Sequence, residues 1–464
     1  MLLSSVFDQF VEESPVSVMA RALLEHALQP GPLDELFERT ATVQYTDKLL
    51  FSTVVDTMGL IVCGISDSVN SVYLSRREWF PVALTNVYQK LKGVELPVMQ
   101  QLVRDNAARP QAVVVALGGT LPELLPGFPV KILDGNCIVS SEPRLAELRG
   151  LASAPLPGKT LNVFDPQLGL VVAVFPCEDG HAQERALLGP VLESVRAGEL
   201  WIEDRNFCTV RWLRGVVLER HAHVLVREHQ GLPWTAGEEL RYVGRVETGA
   251  VWEQTVTLTP EAGPVTAADG TVLQRRRIVI PLDQPTREGE TEVAVLTDLT
   301  VAQADALTLA RLYLERWQLE TVFQVLTQTL HGEHPARGYP KAALFAFCVT
   351  LVAYNVLAVL KAALRVVHGT QKVQEEVSLH HLTTEIRQTH RGMMIALRPP
   401  QWLLFRGMSA KELATVLREL ARGVDLAKYK KAPTKPKKPK TARQSGANRP
   451  HVSTAKLLAE RRKR

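Results

Sequence analysis

The sequence predicts an α/β protein: a mixed sheet covered by helices, preceded by a helical region and interrupted by a β-rich segment. Three observations carry this. Apolar residues recur at three-to-four spacing within residues 1–128. Between 129 and 229, short apolar runs that end in Asp, Gly or Pro are interleaved with helical stretches. From 230 to 297 the apolar residues alternate, and long helical stretches then resume.

Taken in order, Val18 to Leu28 and Lys48 to Val62 carry the helical period, with Pro30-Gly31-Pro32 as punctuation. Residues 1–128 therefore read as a helical region that suits DNA binding; a plain helical bundle has the same pattern. Val130-Lys131-Ile132-Leu133 is a strand ending at Asp134-Gly135. Thr160 to Phe164 and Leu168 to Phe175 are two strands joined at Asp165-Pro166. A helix from His181 to Val195, a strand Leu200-Trp201-Ile202 ending at Glu203-Asp204, a helix Cys208 to Glu219 and a strand His223 to Arg227 complete residues 129–229. In the β-rich insertion, 230–297, Val251 to Leu258, Val272 to Ile280 and Glu292 to Leu296 are strands, with a hairpin signal at Asp269-Gly270. Residues 298–427 hold a helix from Ala302 to Leu330, stopped by His331-Gly332, and an apolar helix from Pro340 to about Val367.

Composition limits the function. The five cysteines are scattered without a C-x-x-C pair, which argues for reduced thiols and against a zinc knuckle. Ala342 to Leu360 has no charge and is long enough to span a bilayer. Thr350, Tyr354 and Asn355 inside it, and the lack of a second span, favour a buried core helix in a cytoplasmic protein. No secretory signal is visible at Met1-Leu2-Leu3-Ser4-Ser5. From Lys428 to Arg464 there are fourteen Lys/Arg against Glu460 alone, a charge of +13 that leaves −8 on the rest of a +5 chain. Residues 428–464 thus read as a disordered basic tail suited to a polyanion, nucleic acid first.

Three acids have positions suited to chemistry. Asp134 and Asp204 each close an apolar strand, where sheets place functional side chains, although such residues are more often turns or caps. Glu320 lies in the long helix. At 100° per residue from Tyr313, Arg316 falls at about 300° and Glu320 at about 340°, bordering the apolar face of Leu312, Leu319, Phe323, Leu326 and Leu330. An Arg316–Glu320 pair can also be simple i, i+4 stabilisation. Three carboxylates can hold two divalent cations about 4 Å apart across a phosphate, and an arginine one turn away can take that phosphate.

Tyr313-x-x-Arg316-Trp317-x-x-Glu320 resembles the signature helix of bacterial insertion-sequence transposases of the DDE class, in particular the group named after insertion sequence four. Leu133-Asp134-Gly135 resembles that group's first-aspartate motif, and Asp204-Arg205-Asn206-Phe207 its D-R-x-F motif. The strand order resembles an RNase H-like fold, and the β-rich insertion is expected of the group. The resemblance implies a cut-and-paste DNA transposase. Asp134, Asp204 and Glu320 would be both catalytic residues and ligands of Mg2+, with Mn2+ as a substitute. Tyr313 and Arg316 would hold DNA at the element's terminal inverted repeats. A homodimer would join two ends before attack on target DNA, at the nucleoid and without a membrane. The group's lysine is replaced by Thr327, and His331, at about 0° on the wheel, and Arg337 are candidates to supply its charge. Arg227 is a further candidate for DNA contact. Arg275-Arg276-Arg277 fits DNA contact or a solvated strand edge equally well, and Glu178, Asp179, His181 and Glu184 read as a helix cap rather than supporting groups of the site. Two rivals stand beside this reading: a catalytically inactive DNA-binding derivative and another RNase H-like nuclease. No G-x-x-x-x-G-K-[ST] loop suggests ATP use.

Overall fold

A computed structural model describes residues 5–138, 154–259, 272–286, 289–332, 339–432 and 451–463. Seven helices come first: α1 (Asp8–Glu13), α2 (Pro15–Ala27), α3 (Pro30–Thr40), α4 (Phe51–Val62), α5 (Val69–Ser75), α6 (Leu84–Gly93) and α7 (Leu96–Leu117). α2, α3 and α7 begin on a proline at their first turn, where its missing N–H costs nothing. α7 stops at Gly118, whose φ of 65° is left-handed.

The strands β1 (Val130–Ile138), β2 (Ala154–Leu156), β3 (Gly158–Asp165) and β4 (Leu170–Cys177) follow. Asp165 makes the expected hairpin turn between β3 and β4, its carboxylate accepting from the Leu168 N–H at 2.9 Å. Next come α8 (Leu188–Ser194), β5 (Leu200–Glu203), α9 (Val210–Arg214) and β6 (His223–Arg227). The expected helix from His181 starts later, with a tight turn at Glu184–Leu187. The one expected over Cys208 to Glu219 is α9 continued by a π turn, Gly215–Glu219. Its Gly215 lets the backbone approach α8: a Cβ there would lie 2.7 Å from Leu192 Cδ2.

The β-rich segment contributes β7 (Trp234–Ala236), β8 (Arg241–Val246), β9 (Gly249–Leu258), β10 (Gln274–Pro281) and β11 (Glu292–Thr297). The first two were not legible, being short and largely exposed; Asp269-Gly270 lies outside the described residues. Main-sheet order is β4-β3-β1-β5-β6-β11-β10-β9-β7, with β8 on β9. β1, β5 and β6 run parallel, and β3 and β4 form an antiparallel hairpin against β1. This mixed sheet, flanked by helices, is consistent with an RNase H-like fold. β10 lies between β9 and β11, so the three arginines do not lie on a solvated edge. Arg276 pairs with Glu253 at 2.6 Å and Arg277 with Glu228 at 2.8 Å, and Arg275 is buried.

The expected long helix is two: α10 (Ala306–Leu314) and α11 (Trp317–Gln328), divided by a tight turn in which Arg316 N–H reaches back to Tyr313 O. The apolar face survives the break, because Leu312, Leu319, Leu326 and Leu330 are all buried. α12 (Pro340–His368) is the one described helix long and apolar enough to cross a membrane, and it is buried in the core, packed on α2, α4, α7 and β4. β4 is the sheet's last strand, and Asn355 of α12 covers its outer edge. Its side chain accepts from Val171 N–H at 2.9 Å and donates to Val171 O at 2.8 Å. The helices α13 (Thr370–Glu376), α14 (Leu379–Ala396), α15 (Pro399–Trp402), α16 (Leu404–Gly407) and α17 (Ala410–Arg422) pack around this body.

The tail is not disordered to its end. β12 (His451–Ser453) pairs in parallel with β2, and α18 (Thr454–Lys463) follows it. Lys456 pairs with Asp179 at 3.0 Å, so docking and charge together outweigh the composition there. Residues 433–450 lie outside the described set. Among the described residues no disulfide joins the five cysteines.

Candidate active site

Strand register sets up the site. Leu133 of β1 is the partner of Glu203 of β5, so the next residues, Asp134 and Asp204, leave neighbouring parallel strands side by side. Asp134 does not end its strand. β1 continues to Ile138, paired only with β3, while β5 stops, and this asymmetry opens the sheet beside the aspartate. Alternation turns Leu133 and Glu203 to one face, where Trp212 Nε1 donates to the Glu203 carboxylate at 2.6 Å. α11 packs against β1 and contributes the third acid.

Arg316 ties the cluster together. Its guanidinium donates to Asp134 Oδ2 at 3.0 Å and to Glu320 Oε1 at 2.9 Å. The arginine side chain is 11% exposed, Asp134 17% and Glu320 48%, so the bridge runs from the interior to the surface. The pair is therefore more than i, i+4 stabilisation, since one guanidinium spans two elements. The other Asp134 oxygen accepts from Gly135 N–H at 2.9 Å. Asp204 is different: among the described residues its carboxylate makes no hydrogen bond or ion pair, and although it precedes a short helical turn its side chain does not cap it. Tyr313 lies buried beside these groups, its hydroxyl turned to the Arg316 guanidinium.

The charges feel one another. Burial pushes the Asp134 carboxyl up to about 7; Arg316 and the Gly135 N–H pull it back, and the negative charges of Asp204 and Glu320 raise it. Burial opposes the Arg316 charge, but Tyr313, Asp134, Asp204 and Glu320 hold its pKa above the ordinary value. Burial raises that of Tyr313.

The donor set is carboxylate oxygen throughout, the chemistry of a hard divalent cation. Among the described residues no three His, Cys, Asp or Glu side chains already converge as an ion-holding group. Between Asp134 and Glu320 the positive charge is supplied by Arg316.

The remaining expected residues are dispersed. Arg227, at the end of β6, pairs with Glu290 at 2.6 Å, and Arg205 meets the same carboxylate at 2.6 Å. His331 lies beyond α11, which ends at Gln328, so the helical wheel no longer applies to it. Its N–H donates to Val62 O at 2.8 Å, and its ring packs over Gly64. Arg337 lies outside the described residues. Thr327 is exposed, its hydroxyl turned back to the carbonyl of Phe323 at 3.0 Å.

Sequence reasoning underweighted two groups. Glu184 is not a helix cap: it accepts from the Asn206 side chain at 3.1 Å, and its carboxylate lies against Gly135, where a Cβ would clash with it. Glu290, the partner of Arg205 and Arg227, follows a stretch with no motif at all.

The sheet places Asp134 and Asp204 on neighbouring strands, and α11 brings Glu320 to Arg316 beside them. Residues 158–356 match the family model described as the transposase DDE domain, which supports a DDE transposase. The matched segment includes Asp204, Arg316 and Glu320 and begins after Asp134. No curated protein matches the chain.

Proposed function

We propose that this protein is a cut-and-paste transposase of the insertion-sequence-four group, with Asp134, Asp204 and Glu320 as the acids that hold two Mg2+ ions. The observation that supports it best is the pairing of Leu133 with Glu203, which sets two aspartates side by side, with Glu320 joined to the first through Arg316. Bound magnesium would supply an activated water and stabilise the leaving oxygen at a phosphodiester. The protein's own part is positioning. Arg316, held against Asp134 and Glu320, can turn one edge to a phosphate. Tyr313 beside it fixes the arginine's buried flank. Arg227 becomes available to the DNA backbone when a phosphate displaces Glu290. The partners are the element's terminal inverted repeats and target DNA, and the working form is a homodimer joining two ends.

The test uses the full chain and a duplex carrying the inverted repeat that flanks the gene. Cleavage at the repeat with Mg2+, its loss in EDTA and its return with Mn2+ are expected. A specific observation favours the rival of a binding-only derivative: Thr327 replaces the group's lysine and spends its hydroxyl on its own helix. Specific binding of the repeat without metal-dependent cleavage would establish that rival.

The tail offers a second measurement. Its docked end lies at β2 and Asp179, beside the loop that carries Glu184. Removing residues 433–464 should weaken binding to every DNA sequence and flatten the dependence of log affinity on log salt. An unchanged slope would show that the tail does not touch DNA.

A further inference from the structure

A cavity of about 200 Å3 lies between α2, α4, α12 and α14, sharing no residue with the acid cluster. One wall is apolar, with Leu24, Leu60, Val349 and Met394. The other is charged, and its charges are unevenly satisfied. Glu25 is taken by Arg21 and, at 2.7 Å, by Arg406. Asp56 and Arg76 also line the cavity, and among the described residues neither side chain has a hydrogen bond or ion pair. Each is within reach of the other's field, yet the two do not close into a bridge. Arg76 stacks on Trp79 at 4.2 Å, which leaves the N–H edge of its guanidinium free. His390, 4% exposed, has an unpartnered Nε2 in the same wall.

A simple anion would satisfy Arg76 and repel Asp56; a simple cation would do the reverse. A dipolar molecule satisfies both, and the leucines and Met394 call for an apolar body. We propose that this cavity binds an apolar α-amino acid, its carboxylate on Arg76 and His390 and its ammonium on Asp56. Liquid water occupies about 30 Å3 per molecule, so the space would otherwise hold roughly seven waters, room enough for a leucine or phenylalanine. Burial pushes the Asp56 carboxyl up to about 6, with Arg21 pulling it down and Glu25 pushing it further up; an ammonium beside it would restore the charge. Burial, with Arg21 and Arg76, holds His390 down at about 4, so its neutral ring is free to donate to a carboxylate.

The experiment is calorimetric titration of the full chain with leucine and with phenylalanine. Phenylacetate, which keeps only the anion, and phenethylamine, which keeps only the cation, are the controls. One or both amino acids should bind, and each single-charge analogue of phenylalanine should bind about tenfold or more weakly. Arg76→Gln and Asp56→Asn should each cause a similar loss. Gly59→Leu fills the cavity from α4, where a Cβ meets no atom within 4 Å, and should abolish binding without lowering the melting temperature. No binding of either amino acid, affinity equal to that of phenylacetate, or binding that survives Gly59→Leu would each overturn the proposal.

Discussion

An Asp204→Ala variant is expected to lose DNA cleavage by at least about a thousandfold and to melt no lower than the unmodified protein. The two halves of this expectation rest on the same fact. The Asp204 carboxylate has no hydrogen bond, ion pair or capping role among the described residues, so its removal sacrifices no direct contact, only part of the field that favours the Arg316 charge. It also relieves a negative charge that presses on Asp134. Arg316→Ala makes the contrast, because it leaves Asp134 and Glu320 without the cation between them and should cost about 1–3 kcal/mol of stability as well as activity. Single-turnover cleavage beside thermal unfolding of both variants separates the cases. If Asp204→Ala melted several degrees lower and still cleaved, the carboxylate would be structural.

Asn355→Leu is expected to destabilise the protein by about 2–4 kcal/mol, measured by urea unfolding. The side chain is wholly buried in α12 and satisfies both backbone groups of Val171 on the free edge of β4. Leucine would strand an N–H and a C=O in an apolar interface. Thr350, buried in the same helix, only bonds back to Ala346 O at 2.7 Å, so Thr350→Val should fall within about 1 kcal/mol of the unmodified protein. Equal effects at the two positions would show that polarity in this helix, rather than the edge contact, sets the cost.

Strands such as Thr160 to Phe164, Leu200 to Ile202 and His223 to Arg227 were legible in the sequence because each is a short apolar run with a turn residue at its end. Asp134 reads in the sequence as the close of its strand, and its mid-strand position was not legible, since nothing local records that β5 stops while β3 continues. The break at Arg316 was hidden because both halves of the helix keep one apolar face. Glu290 and Glu184 reach Arg205, Arg227, Gly135 and Asn206 from distant parts of the chain, and no periodicity encodes such a meeting. The end of the tail misled through composition: three residues pairing with β2 and one lysine on Asp179 fix it in place.

The burial of α12 has a consequence for how the chain is made. Its partners α2, α4, α6, α7, β3 and β4 all precede it, whereas α13 and α17 follow. On the ribosome this greasy helix therefore emerges onto a cleft already translated, with one flank bare until α17 is finished. A message truncated just after residue 368 would release a chain whose most apolar segment lacks that last cover, a client for chaperones and proteases rather than a smaller working enzyme.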